Sequence, residues 1–207
     1  MKKLALLAFA LAACGTEYQT PGGQGSSTPA QAVEKYMENC SSCHGEFGEG
    51  TTDGPQIQNP VRGYATWVIR SGRRVQMTGM GYTDPMPAHD TEVLSDSDIK
   101  GILDYLSMPA HPTTGQGLYL RFCGNCHGPD GSGGRSHQSI GGEADDAMEK
   151  VRGGEGSTNY GAQEKYMPAW APTQLSNTEV NLIVQWLGGQ VGGGGDCVAP
   201  DDGCGDD

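Results

Sequence analysis

Two strings of the same chemical type stand out in the sequence: Cys40-Ser41-Ser42-Cys43-His44 and Cys123-Gly124-Asn125-Cys126-His127. Two thiols one helical turn apart can bond to the two vinyl groups of a flat ring, and the histidine that follows at once can offer a nitrogen to a metal at the ring's centre. Cys-x-x-Cys-His is the attachment signature of c-type haem, so the two copies imply two covalently bound haem c groups with their iron, one on Cys40 and Cys43 and one on Cys123 and Cys126. A thioredoxin-type dithiol or half of a zinc site also uses Cys-x-x-Cys, but neither calls for the adjacent histidine. Zinc would further need two more cysteine or histidine ligands per motif, and none recur in matching positions.

The elements around each motif repeat as well, at offsets of 81 to 83 residues. Ala32, Tyr36 and Cys40 are spaced by four, as are Gly115, Tyr119 and Cys123, which predicts a short helix running into each motif with these residues on one face. Val68-Ile69-Arg70-Ser71-Gly72 returns as Lys150-Val151-Arg152-Gly153-Gly154, and Met86-Pro87-Ala88 returns as Met167-Pro168-Ala169. Ser95 stands three residues before Asp98, and Ser176 three before Glu179, each a capping box opening an amphipathic helix. Those helices carry Ile99, Ile102, Leu103 and Leu106, or Val180, Ile183, Val184 and Leu187. The pattern predicts an all-α chain of two tandem domains, residues 30–110 and 111–190, divided where Pro109 to Thr114 interrupt the helices. Each domain has only about 80 residues, a size at which an apolar core needs a staple or a cofactor.

With these motifs in place, the chain resembles a dihaem class I c-type cytochrome, two small helical cytochrome c domains in tandem, over residues 30 to 188. The resemblance implies that Ala32 and Tyr36 face Tyr105, that Gly115 and Tyr119 face Trp186, and that His44 and His127 are the proximal iron ligands. It places a methionine, commonly followed by proline, on the opposite side of each iron, which Met86 and Met167 match. Thioether sulfur favours ferrous iron and closes the sixth position, which suits a carrier of electrons. Met80 is the alternative to Met86 in the first domain, while His89, His111 and His137 have no repeat partner and receive no ligand role. Arg70 and Arg152 recur, so a haem propionate is one partner for their guanidinium and an exposed salt bridge the other.

The ends of the chain carry an address. Lys2 and Lys3 precede an apolar run from Leu4 to Ala13, which reads as a signal peptide over residues 1–13. Leu11-Ala12-Ala13-Cys14 resembles a bacterial lipobox, making Cys14 the site of lipid attachment. Residues 14–29, rich in Gly, Ser, Thr and Pro, read as a flexible linker behind that anchor. Residues 191–207 are a Gly/Asp-rich tail in which Cys197 and Cys204 could close a small disulfide loop. The expected location is the periplasm or cell envelope, membrane-anchored, with the absence of an aspartate after Cys14 leaning towards the outer membrane.

Of the 207 residues 35% are apolar, and no stretch long enough for a multi-span membrane protein exists. The formal charge of −12 excludes nucleic acid as a partner, because such a chain repels phosphate. Residues 30–110 carry 6 basic and 11 acidic side chains and residues 111–190 carry 5 and 8, so redox protein partners with basic faces are the expected ones. No nucleophile with a paired base appears, and the reading is a single-electron carrier without catalytic residues. The alternative is a dihaem enzyme or enzyme subunit, peroxidase-like or sulfur-oxidising, with one open haem site.

Overall fold

The computed structural model describes residues 27–74, 82, 84–141, 146–161 and 165–192. In chain order the helices are α1 (Pro29–Asn39), α2 (Ser41–His44), α3 (Arg62–Ser71), α4 (Asp96–Leu106), α5 (Gly115–Phe122), α6 (Gly124–His127), α7 (Ala147–Gly153) and α8 (Asn177–Gly192), with a 3-10 turn at Gly134–Ser136. Among these residues extended pairing is limited to two isolated antiparallel bridges, Arg73 with Met86 and Glu155 with Met167. No described helix is long and apolar enough to cross a membrane.

Local chemistry sets the helix starts. Thr28 and Gln31 form a reciprocal capping box at α1, with Pro29 at the first helical position. Ser95 and Asp98 do the same for α4. At α8 the Ser176 hydroxyl accepts from the Glu179 amide, while the Glu179 carboxylate accepts from the Ser176 amide at 2.7 Å. Hydroxyls of Ser27 and Ser95 hold Asp98 below the usual aspartate range. Burial disfavours the Glu179 carboxylate, yet hydrogen bonds from Ser176 and His111 outweigh it and lower its pKa.

Two cores form, each around a pair of helices distant in sequence. α1 crosses α4 where Ala32 meets Gly101, and the Tyr36 and Tyr105 rings lie 5.3 Å apart. α5 crosses α8 where Gly115 lies against the Leu182 carbonyl, and Tyr119 lies 4.7 Å from Trp186. The first core gathers Tyr36, Ile69, Leu94 and the inward face of α4; the second gathers Leu118, Tyr119, Trp170, Leu175 and the inward face of α8. The signal peptide, Cys14, most of the 14–29 linker, Met77, Met80, Cys197 and Cys204 lie outside the described residues.

Gly115 is small because nothing larger fits: a Cβ there would sit 2.1 Å from the Leu182 carbonyl oxygen and 2.9 Å from the Trp186 Cβ. Gly115→Ala therefore overpacks the α5–α8 crossing, at a cost of about 1–3 kcal/mol. Hydrogen exchange on the holoprotein should show amides of α5 and α8 losing protection by that amount while α1 and α4 keep theirs.

Candidate functional site

Both Cys-x-x-Cys-His strings occupy the same local geometry. The helix before each ends on the first cysteine, and the remaining four residues coil into one further turn, α2 or α6. Gly45 and Gly128 follow at φ of 82° and 80°, left-handed conformations that glycine adopts without strain and that turn the chain away at once. Buried tyrosines lock this turn. The Tyr36 hydroxyl donates to the Gly45 carbonyl at 2.6 Å, and Tyr119 donates to Gly128 at 2.7 Å. Desolvation by burial raises the pKa of both phenols, so they act only as neutral donors.

Of the four motif cysteines Cys43 is exposed, and Cys40, Cys123 and Cys126 are partly buried. Before haem attachment, burial pushes the Cys40 thiol up to about 11 and the Cys123 thiol up to about 12, and it raises Cys126 as well. His44 is 8% exposed, and burial lowers its pKa, so the imidazole is neutral. Its Nδ1 lies 2.7 Å from the Pro55 carbonyl, an atom that can only accept, which puts the proton on Nδ1 and leaves Nε2 with a lone pair for a metal. In the second domain the partner changes. His127 Nδ1 lies 3.1 Å from the Ser136 hydroxyl, which itself donates to the Gly133 carbonyl at 2.8 Å.

The two methionines reach their positions by one device used twice. After α3 the chain turns at Gly72, and Arg73 then bridges to Met86, its amide donating to the Met86 carbonyl at 2.8 Å. After α7 it turns at Gly154, and Glu155 bridges to Met167 in both directions, at 2.8 and 3.1 Å. A Cβ on Gly72 would lie 2.8 Å from the Met86 carbonyl oxygen, and one on Gly154 2.7 Å from that of Met167. Glycine lets the methionine segment pack flat against the helix end.

The recurring arginine clamps this segment from its other side. Arg70 donates to the carbonyls of His89, Asp90 and Leu94 at 2.7–3.0 Å and pairs with Asp96 at 2.6 Å. Arg152 donates to the carbonyls of Trp170 and Leu175 and to Asn177 at 2.6–2.8 Å. The salt bridge considered for this arginine is present at Arg70, with Asp96, and both arginines also donate to main-chain carbonyls. The guanidinium joins the methionine loop to the start of the last helix through main-chain carbonyls and one side chain there.

In the second domain these pieces enclose a cavity, about 1250 Å³ including its open mouth. Cys123, Cys126 and His127 lie on its lining, as do Met167 and Pro168, with Tyr166, Trp170, Val180 and Ile183 among the apolar walls. Thiols, imidazole and thioether around a single apolar slot fit a haem in type and arrangement. In the first domain His44 is buried, and Cys40 and Met86 both pack against the core cluster.

A family model described as cytochrome C oxidase, cbb3-type, subunit III, matches residues 27–106 and again residues 110–187. The chain belongs to this family. It has two tandem cytochrome c domains, all-α, with two covalently bound haem c groups, and it is a haem-based electron-transfer protein. Cytochrome c domains of the cbb3 type are typically extracytoplasmic. No curated protein matches the chain.

Sequence reasoning left one group of residues unseen: those that join the two sites. Pro55, whose carbonyl holds His44, is followed by Gln56, whose carbonyl accepts from Asn125 inside the second motif at 2.8 Å. The Gln56 side chain donates to the Arg121 carbonyl, and Arg121 reaches back to Asn59 at 2.7 Å. Beside this seam Tyr64 stacks on Tyr166 at 5.0 Å, with Trp67 and Tyr160 around them. None of these residues has a repeat partner, so the duplication could not flag them. Of the three single histidines, His111 pairs with Glu179 at 2.6 Å, His89 gives its carbonyl to Arg70, and His137 caps the 3-10 turn.

The arginine clamp is open to test. Hydrogen bonds from a charged donor contribute about 1.5–3 kcal/mol each, so Arg152→Gln should destabilise the second domain by at least about 2 kcal/mol. Arg152→Lys should not restore it, because one ammonium cannot reproduce the planar fork. Thermal unfolding of the holoprotein reads the loss, and carbon monoxide uptake by one haem in Arg152→Gln, absent in the wild type, would show that the methionine segment has loosened.

Proposed function

We propose that the protein is a dihaem electron carrier of the bacterial cell envelope, in which each iron is closed on both sides by side chains and single electrons pass between redox proteins. Cys40 and Cys43 attach the first haem and Cys123 and Cys126 the second. His44 and His127 are the proximal ligands; Met86 and Met167 are the distal ones. The observation that carries this is the second domain's cavity, where Cys123, Cys126 and His127 share one lining with Met167. A bound haem c supplies a one-electron ferric/ferrous couple. The chain's own part is to hold the imidazole neutral and oriented, to present the thioether through the Gly154 turn and the Arg152 clamp, and to exclude water with apolar walls. Thioether ligation raises the potential relative to a second histidine and denies the sixth position to oxygen.

The anionic domains favour partners with basic faces, whose encounter rates would fall with added salt. Cys14 carries a lipid that tethers the protein to a membrane, the outer one by the residue that follows it. Cys14→Ser should move the mature protein from the membrane fraction to the soluble periplasmic fraction without changing its visible spectrum, a result read by fractionation and haem staining.

A second reading is a subunit of a larger haem enzyme, favoured by the family's description as an oxidase subunit, or a peroxidase-like or sulfur-oxidising dihaem protein with one open iron. The ferrous spectrum before and after carbon monoxide separates an always-open site from a closed one. The carrier should change little, and its haem-to-protein ratio of two should fall to one in Cys123→Ser/Cys126→Ser. A spectral shift equivalent to one haem in the wild type would overturn the carrier and move the assignment to an enzyme.

A further inference from the structure

The two attachment loops carry different residues directly before their second cysteine. Asn125 stands in the second motif where the first has Ser42. Ser42 is exposed, whereas Asn125 is half-buried and its side-chain amide donates at 2.8 Å to the carbonyl of Gln56 in the first domain. Gln56 follows Pro55, whose carbonyl lies 2.7 Å from His44 Nδ1. That distance is at the short end for a nitrogen donor, so a modest rotation of the carbonyl weakens the bond.

The segment is held from both domains. On the first domain's side it passes close to Gly50, where a Cβ would lie 2.7 Å from the Gln56 nitrogen and 3.1 Å from the Pro55 carbonyl carbon. Gly50 in turn donates its amide to the His44 carbonyl at 2.8 Å. On the second domain's side Asn125 holds the Gln56 carbonyl, and the Arg121 carbonyl accepts from the Gln56 side chain. The pyrrolidine ring fixes φ at Pro55, so the direction of its carbonyl follows from where the Gln56 peptide is held. His127 Nδ1, by contrast, meets Ser136 of its own domain.

An Nδ1 proton donated strongly leaves more electron density on Nε2, and such a ligand favours the ferric state of an iron bound there. A looser Pro55 carbonyl does the opposite. We propose that Asn125 of the second attachment loop is a positioning residue for His44 of the first domain: by pinning the Gln56 peptide it keeps the Pro55 carbonyl on Nδ1 and holds the first iron's potential down. This rests on the electron-carrier reading, in which His44 is the first iron's ligand. The loop that attaches one haem then forms part of the ligand environment of the other.

The experiment is a mediated redox titration of the full holoprotein in two backgrounds. Met167→His lowers the second haem's potential and leaves the first as the upper wave, and Met86→His does the reverse. In the Met167→His background, Asn125→Ser and Asn125→Leu should each raise the upper wave by roughly threefold to tenfold in electron affinity, the size of one ordinary hydrogen bond. Tenfold is ~59 mV for a one-electron couple. Both variants are uncharged, and the same helical turn already accommodates serine at Ser42. In the Met86→His background they should leave the upper wave in place. Asn59→Gly, which suits a φ of 53° and removes the Arg121 partner in the same seam, should move neither wave. A second readout needs no potential: in the ferrous holoprotein the His44 Nδ1 proton, followed by NMR, should exchange with solvent faster in Asn125→Ser, with that of His127 unchanged. An unmoved first wave, a shift of the second wave instead, or an equal shift from Asn59→Gly would each overturn the proposal. Carbon monoxide binding by the wild type would sink the carrier reading, and the Nδ1 exchange would still decide whether Asn125 positions His44.

Discussion

The positions of Met86 and Met167 depend on a half-buried guanidinium set among peptide carbonyls. In the proposed ligation, an iron held between a histidine and a methionine some 40 residues further along the chain needs both ends fixed, and only the histidine end is fixed covalently, by its neighbouring thioethers. The methionine end lies on an irregular loop whose carbonyls would otherwise face no donor. Arg70 donates to three of those carbonyls and Arg152 to two, and their bonds to Asp96 and Asn177 fasten the loop to the last helix's first turn. An arginine suits this because its planar fork serves several acceptors at once and stays charged when half-buried. Remove that fork, and the bridge at Gly72 or Gly154 has to hold the methionine segment by itself.

The helix pairs answer a different constraint, which is size. A domain of about 80 residues has little apolar area to bury, so it must bring backbones close and let aromatic rings do most of the contact. Gly101 and Gly115 permit the close approach; Tyr36 against Tyr105 and Tyr119 against Trp186 fill what remains. The same tyrosines then reach the motif glycines through their hydroxyls, so that the crossing of two helices also sets the pose of His44 and His127. Core and ligand geometry are one arrangement in this fold.

This shared arrangement explains what could be read in the sequence. The attachment strings were legible because covalent chemistry fixes their spacing, and the cap residues Ser95 and Ser176 because a capping box has a fixed offset. The facing pairs came from the family resemblance, and the rings do meet. Helices α3 and α7 were visible only as the repeated strings ending in Gly72 and Gly154. The role of Arg70 and Arg152 was hidden for a physical reason: their partners are main-chain carbonyls, which every residue possesses and no sequence pattern marks. The joint between the domains was hidden for another, because Gln56, Asn125, Tyr64 and Tyr166 make contacts that exist once, and a search for repetition passes over whatever is not repeated.

Those unrepeated contacts are where the two halves of a duplicated chain become chemically different. Two identical domains would hold two identical potentials, and an electron would have no reason to leave either. Any directional carrier built by duplication must break its symmetry close to the metals, and residues at equivalent places with opposite charge do so at little structural cost. Arg73 and Glu155 share a backbone pairing, so the fold around each methionine is preserved while the local field differs. The cost falls on Arg73, a half-buried cation, and the Tyr64 and Trp67 faces offset part of it through their negative ring potential. Both rings belong to the same domain as Arg73, so that compensation is local, and only the stacking of Tyr64 on Tyr166 carries the group on to the second domain.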